Sequence, residues 1–121
     1  MATVDIDGNT LVVEIEGFDR LWALRSRLEI PLANVRSATI DPGMIKEPKG
    51  VRTAGTHMPG VITAGSFRVG GDRVFWDVRD PAKAIVVELR DDRYARLIIQ
   101  VPDPHAAVTL IEHALTRRRA G

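Results

Sequence analysis

Cysteine is absent from this chain of 121 residues, which removes disulfides, thiolate nucleophiles and cysteine-ligated zinc from its chemistry. Aromatic residues are few, at 5%. Trp22, Phe67, Phe75, Trp76 and Tyr94 are not interleaved with a basic stripe, as a stacking platform for single-stranded nucleic acid requires. An excess of one charge is also missing: seventeen Lys and Arg against sixteen Asp and Glu leave a formal +1, so no single-sign field gathers nucleic acid. No apolar run approaches the ~18 residues that span a membrane, and the first residues lack a basic segment followed by an apolar one. The expectation is a cytoplasmic protein with no transmembrane segment and no nucleic-acid partner.

What is present is the composition of a folded chain. Hydrophobic residues make up 45% and charged residues 27%, and the length suits one hydrophobic core, so residues 1–121 are expected to form a single domain. Val4–Ile6 and Thr10–Glu16 flank Asp7-Gly8-Asn9, a hairpin composition. Leu11, Val13 and Ile15 then alternate with Val12, Glu14 and Glu16, the mark of a half-buried strand. Beyond Gly17 the period changes, and Phe18, Leu21 and Trp22 share a helical stripe, which predicts one or two turns of helix.

Arg27–Ile30 reads as a short strand stopped at Pro31, and Val35–Asp41 resumes extended structure. Pro and Gly then punctuate residues 42–60 so often that a long loop is expected there. Val61–Val69 and Arg73–Val78 flank Gly70-Gly71-Asp72, the clearest hairpin in the chain. Ala84–Arg90 and Tyr94–Val101 follow as two alternating strands joined by Asp91-Asp92-Arg93. Antiparallel pairing is expected throughout, because short connections cost little closure entropy.

The last element has both ends written into it. Asp103 is a capping residue, Pro104 suits the first turn, and Arg117, Arg118 and Arg119 complement the negative end of the helix dipole. Ala107, Val108, Leu110, Ile111, Ala114 and Leu115 fall within about 160° of arc, leaving His105, Thr109, Glu112, His113 and Thr116 to solvent.

Catalytic chemistry is not evident in this pattern. His57 has no nucleophile or carboxylate fixed beside it by spacing, and His105 and His113 are more than two helical turns apart, too far to share a metal. Neither Lys49-Gly50-Val51-Arg52 nor Gly70-Gly71 matches a phosphate-binding or dinucleotide fingerprint. No cofactor, metal or enzymatic activity is expected. The candidate interaction residues are Lys46, Lys49, Arg52 and His57, presented by the long loop, and Phe75, which lies on the strand face opposite Val74, Trp76 and Val78 and is expected to be exposed or to sit under a loop.

About seven strands followed by one amphipathic helix, together with Arg25-Ser26-Arg27-Leu28-Glu29-Ile30-Pro31-Leu32-Ala33-Asn34-Val35, resemble bacterial pleckstrin-homology-like (PH-like) domains. Phe75-Trp76-Asp77-Val78 with Asp80-Pro81 is similar to small actinobacterial proteins of that kind. The resemblance implies a mainly β fold: a PH-like barrel of about seven antiparallel strands capped by one C-terminal α-helix. It also implies a binding or scaffold domain. The leading expectation is interaction with a protein partner, a second copy of the chain included; the alternative is a small ligand or an anionic lipid headgroup. Glu14, Glu16 and Asp19 stand beside Arg20 and Arg25 where lipid-binding relatives carry a basic loop, so no lipid-binding residue is carried over.

Overall fold

Alternation builds the first layer. In the computed structural model, which describes residues 2–15, 27–40, 51–58, 62–69, 71–78 and 80–120, with the backbone alone for 51–58, 62–69, 81 and 120, three strands form an antiparallel sheet. They are β1 (Ala2–Asp7), β2 (Thr10–Ile15) and β3 (Arg27–Pro31), in the order β1-β2-β3. Gly8 closes the first hairpin at φ +61°, a conformation a Cβ would strain, and Asp7 pairs with Thr10 across it. The register stacks Ile6, Leu11 and Ile30 in one inward row and Val4, Val13 and Leu28 in the next, with Ala2 opposite Ile15. One face is core. Pro31 ends β3 on the sheet's edge, where its missing amide costs no ladder bond.

A single 3-10 turn, Leu32–Asn34, then carries the chain into a second sheet. Its strands are β4 (Val35–Thr39), β5 (Val51–Met58), β6 (Ile62–Val69), β7 (Asp72–Val78), β8 (Ala84–Leu89) and β9 (Arg96–Gln100). Their spatial order is β4-β8-β9-β7-β6-β5. The helix α1 (Pro104–Ala120) follows and packs against β4, β1 and β8. The architecture is therefore mainly β, two sheets with one C-terminal helix.

Between the sheets lies a continuous core in which Leu11, Val13, Leu28 and Ile30 meet Phe75, Ile85, Val87, Leu97 and Ile99. Ala107, Ile111, Ala114 and Leu115 of α1 complete it. The helix begins as expected: the Ala106 N–H donates to Asp103 Oδ1 at 3.1 Å, and Pro104 occupies the first turn. Each large aliphatic side chain buried here contributes about 1.5–3 kcal/mol relative to exposure, which is why the helix belongs to the fold rather than to its surface.

Four expectations are corrected. The strands do not close into a barrel: among the described residues no strand of the three-stranded sheet pairs with one of the six-stranded sheet, and nine strands replace about seven. Pairing is not wholly antiparallel, because β9 lies between β8 and β7 and runs parallel to β7, Phe75 beside Leu97 and Trp76 beside Ile98. Residues 79–95 lie between the two strands and include β8, enough chain for a parallel return.

The expected loop at 42–60 is strand over Val51–Met58, which pairs along its length with β6. Gly55 faces Gly65 within that ladder, so a glycine taken for loop punctuation is a strand residue. Residues 42–50 of that expectation, and the short helix expected at Phe18–Leu24, lie outside the described residues.

Phe75 is the fourth correction. It is fully buried, with its ring edge-on to Tyr94 at 5.6 Å between centroids. Its assignment to the face opposite Val74, Trp76 and Val78 holds, but both faces are buried: Val74, Trp76, Val78, Ala84, Val86 and Ile98 form a second apolar cluster. In a sheet covered on both sides, alternation separates two cores instead of core from water.

Candidate functional site

Of the residues singled out from sequence, Lys46 and Lys49 lie outside the described residues. Arg52 and His57 are both on β5, paired with Phe67 and Thr63, with a bulge between Arg52 and Ala54. They sit in a ladder rather than in a presenting loop. Phe75 belongs to the core. His105 and His113 are exposed on α1, as their helical positions dictate.

The structure draws attention instead to the outer face of the three-stranded sheet. The residues that alternate with the core rows form rows of their own: Thr3–Glu14–Arg27, Asp5–Val12–Glu29 and Asp7–Thr10–Pro31. Among the described residues, four carboxylates therefore share this face with one guanidinium. Arg27 reaches Glu14 at 2.8 Å and Glu29 at 3.6 Å, half-exposed pairs worth about 0–1 kcal/mol each. Asp5 and Asp7 have no cationic partner among the described residues; Asp5 Oδ1 accepts only the neighbouring Ile6 N–H, at 2.8 Å.

A shallow depression of roughly 340 Å³ opens here, lined by Thr3, Asp5, Ile6, Asp7, Val12, Glu14 and Arg27. Val12 is its apolar floor, only 6% exposed although it points away from the core. An apolar floor with a carboxylate rim is complementary to a long cationic side chain, whose methylene stem lies on the floor while its head group meets the rim. The acidic residues were visible in the sequence. Their convergence was not, because it depends on the β1–β2 and β2–β3 registers together.

A second charged region lies at the end of α1. Its last turn carries Arg117, Arg118 and Arg119, all exposed, and Arg119 Nη2 donates to the Arg36 carbonyl of β4 at 3.2 Å. One helical stretch earlier, Glu112 Oε1 accepts the Ala38 N–H of the same strand at 3.0 Å. Strand β4 ends its sheet, so these two side chains occupy backbone groups that would otherwise offer an open edge. Glu112 was assigned to solvent by its helical position; half-buried, it is an edge cap instead. Arg36, Arg117 and Arg118 make no ion pair among the described residues, so the helix end presents a cationic group of side chains to solvent.

Among the described residues two polar side chains, Gln100 and Asp77, are buried. Gln100 accepts the Asp80 N–H at 2.8 Å and so anchors the turn that leads into β8. Asp77 is 1% exposed and lies beside Ile99 in the parallel pair, on the same strand face as Phe75. Among the described residues no group of three or more His, Cys, Asp or Glu is placed to hold a metal ion, and no helix is long and apolar enough to cross a membrane. No family model, no curated protein and no solved structure matches the chain.

Proposed function

We propose that this protein is a non-enzymatic binding or scaffold domain whose work is protein–protein interaction, and that the outer face of β1-β2-β3 receives a basic segment of its partner. The observation that carries this reading is the open depression floored by Val12 and rimmed by Asp5, Asp7 and the Glu14–Arg27 pair, in which Asp5 and Asp7 lack a cationic partner among the described residues. The three strands beneath it are fixed by their inward rows, so the carboxylates stand on a rigid support. Exposed carboxylates contribute modestly to affinity and strongly to association rate and to rejection of acidic partners. A scaffold role is also what the PH-like resemblance implies, on the level of a mainly β body with a C-terminal helix.

The alternative of an anionic lipid headgroup draws no support from this face, whose charge has the same sign. The test is fluorescence anisotropy of a labelled Lys/Arg-rich peptide titrated with the full chain, with an acidic peptide as control. Binding of the basic peptide alone, weakened about tenfold or more by Asp5→Asn combined with Asp7→Asn, is expected. Absence of binding, or binding indifferent to those two substitutions, overturns the reading.

A further inference from the structure

Among the described residues, charges of opposite sign gather in two different places. Asp5, Asp7, Glu14 and Glu29 stand on the outer face of the three-stranded sheet, whereas Arg36, Arg117, Arg118 and Arg119 stand around the end of α1. The helix packs on the core side of that sheet, where Ala2 and Ile15 share one cluster with Ala107, Ile111 and Leu115. The acidic face points the other way. Among the described residues no ion pair joins the acidic group to the basic one within a molecule, whereas the groups of two molecules are free to meet.

We propose that the basic segment received by the acidic face is the Arg117–Arg119 end of α1 from a second copy of this chain. The proposal rests on the reading of that face as a protein-docking surface and names its occupant. Three observations select the second copy. Among the described residues the charges are complementary in sign and similar in number, four carboxylates with one arginine against four arginines. Arg117 and Arg118 are exposed and make no ion pair among the described residues, so docking breaks no such pair of theirs. Arg119 is braced against the Arg36 carbonyl, which joins the helix end to the β4 edge and reduces the freedom lost when the cluster docks.

The depression matches the group it would take. Its Val12 floor accommodates the methylene stem of an arginine, and Asp5 and Asp7 offer acceptor oxygens to the planar guanidinium, which donates in a fork. Because the two surfaces differ, the contact is heterologous: the docked pair still presents one free acidic face, on the copy that gave its basic end, and one free basic end, on the other. Association then proceeds head to tail, and it weakens as salt shortens the Debye length from about 30 Å at 0.01 M to about 3 Å at 1 M.

Sedimentation velocity on the full chain tests this. Wild-type protein is expected to form dimers and longer species at about 0.01 M salt and to be monomeric at about 1 M. Two charge-reversed variants, Asp5→Lys with Asp7→Lys and Arg117→Glu with Arg118→Glu, change only exposed side chains, and circular dichroism checks that each is folded. Each alone is expected to be monomeric at low salt. Mixed, they are expected to associate again, because the intact basic end of one meets the intact acidic face of the other and the two reversed surfaces are themselves opposite in sign.

A wild-type monomer at low salt and high concentration overturns the proposal, as does association that survives either reversal or a mixture that stays monomeric. The peptide titration separates this failure from failure of the underlying reading. A basic peptide that binds a strictly monomeric protein removes the second copy as occupant and leaves the docking face in place. A peptide that does not bind removes both.

Discussion

The two sheets obey the same period and differ in what covers them. In β1-β2-β3 one face meets the core and the other meets water, so Leu11, Val13 and Ile15 are buried while Glu14 is exposed. In the six-stranded sheet, Phe75, Ile85, Val87, Leu97 and Ile99 line one face and Val74, Trp76, Val86 and Ile98 the other, and all are buried. The chain records this difference in the residues between the inward ones. Asp5, Glu14 and Glu29 stand between inward residues in the first sheet, whereas Val86 and Ile98 stand between inward residues of β8 and β9. The first sheet consequently keeps one exposed face, whereas both faces of β7, β8 and β9 are taken up by packing.

The contrast is most severely tested where one helix completes the core between both sheets. Ile111→Asp places a charge in the buried cluster where α1 packs against β4, β1 and β8, and is expected to cost about 5 kcal/mol or to leave no folded state, measured as loss of the cooperative thermal transition. An unchanged melting temperature would remove α1 from the core.

Next in size are paired truncations on the two faces of the six-stranded sheet. Phe75→Ala is expected to cost about 3–5 kcal/mol and Ile98→Ala about 2–5 kcal/mol in urea denaturation, since each leaves a cavity in a packed cluster. If Ile98→Ala were nearly neutral while Phe75→Ala was not, the second face would be a surface and the contrast between the sheets would fail.

Smaller effects sharpen the picture at the helix and at the wet face. Asp103→Ala removes the acceptor of the Ala106 N–H and is expected to cost about 1 kcal/mol, seen as faster amide exchange in the first turn of α1. Asp5→Asn should change stability by no more than about 0.5 kcal/mol, because the carboxylate is exposed and holds no core contact. A large loss on Asp5→Asn would mean that this face is a structural element and not a docking surface.

Much of this fold was legible in local signals. The β1–β2 hairpin, the partition of Leu11, Val13 and Ile15 from their neighbours, the β6–β7 hairpin, and the capped C-terminal helix with its Ile111 and Leu115 stripe all depend on interactions within a few residues. The strand at Val51–Met58 was not legible. Its glycine and paired polar residues carry no apolar period, and its pairing is supplied by β6. The site was half legible: its carboxylates stand in the chain for anyone to see, yet Lys46, Lys49, Arg52, His57 and Phe75 drew attention first. Length and charge of a side chain are visible in one dimension, and convergence is not.

Periods, turns and caps were set locally, because backbone conformation and the alternation of side chains follow from neighbours along the chain. Tertiary structure alone decided that β9 enters between β7 and β8 instead of extending a meander, and that the strands stay as two sheets. It also decided that Phe75 is core, that Glu112 caps the β4 edge, and that Asp5, Asp7 and Glu14 surround Val12. The physical reason is common to all of these. Each depends on which residues distant in the chain share a row or a face, and that is settled by burying the greatest apolar area with every edge group hydrogen-bonded, a condition on the whole molecule and not on any segment of it.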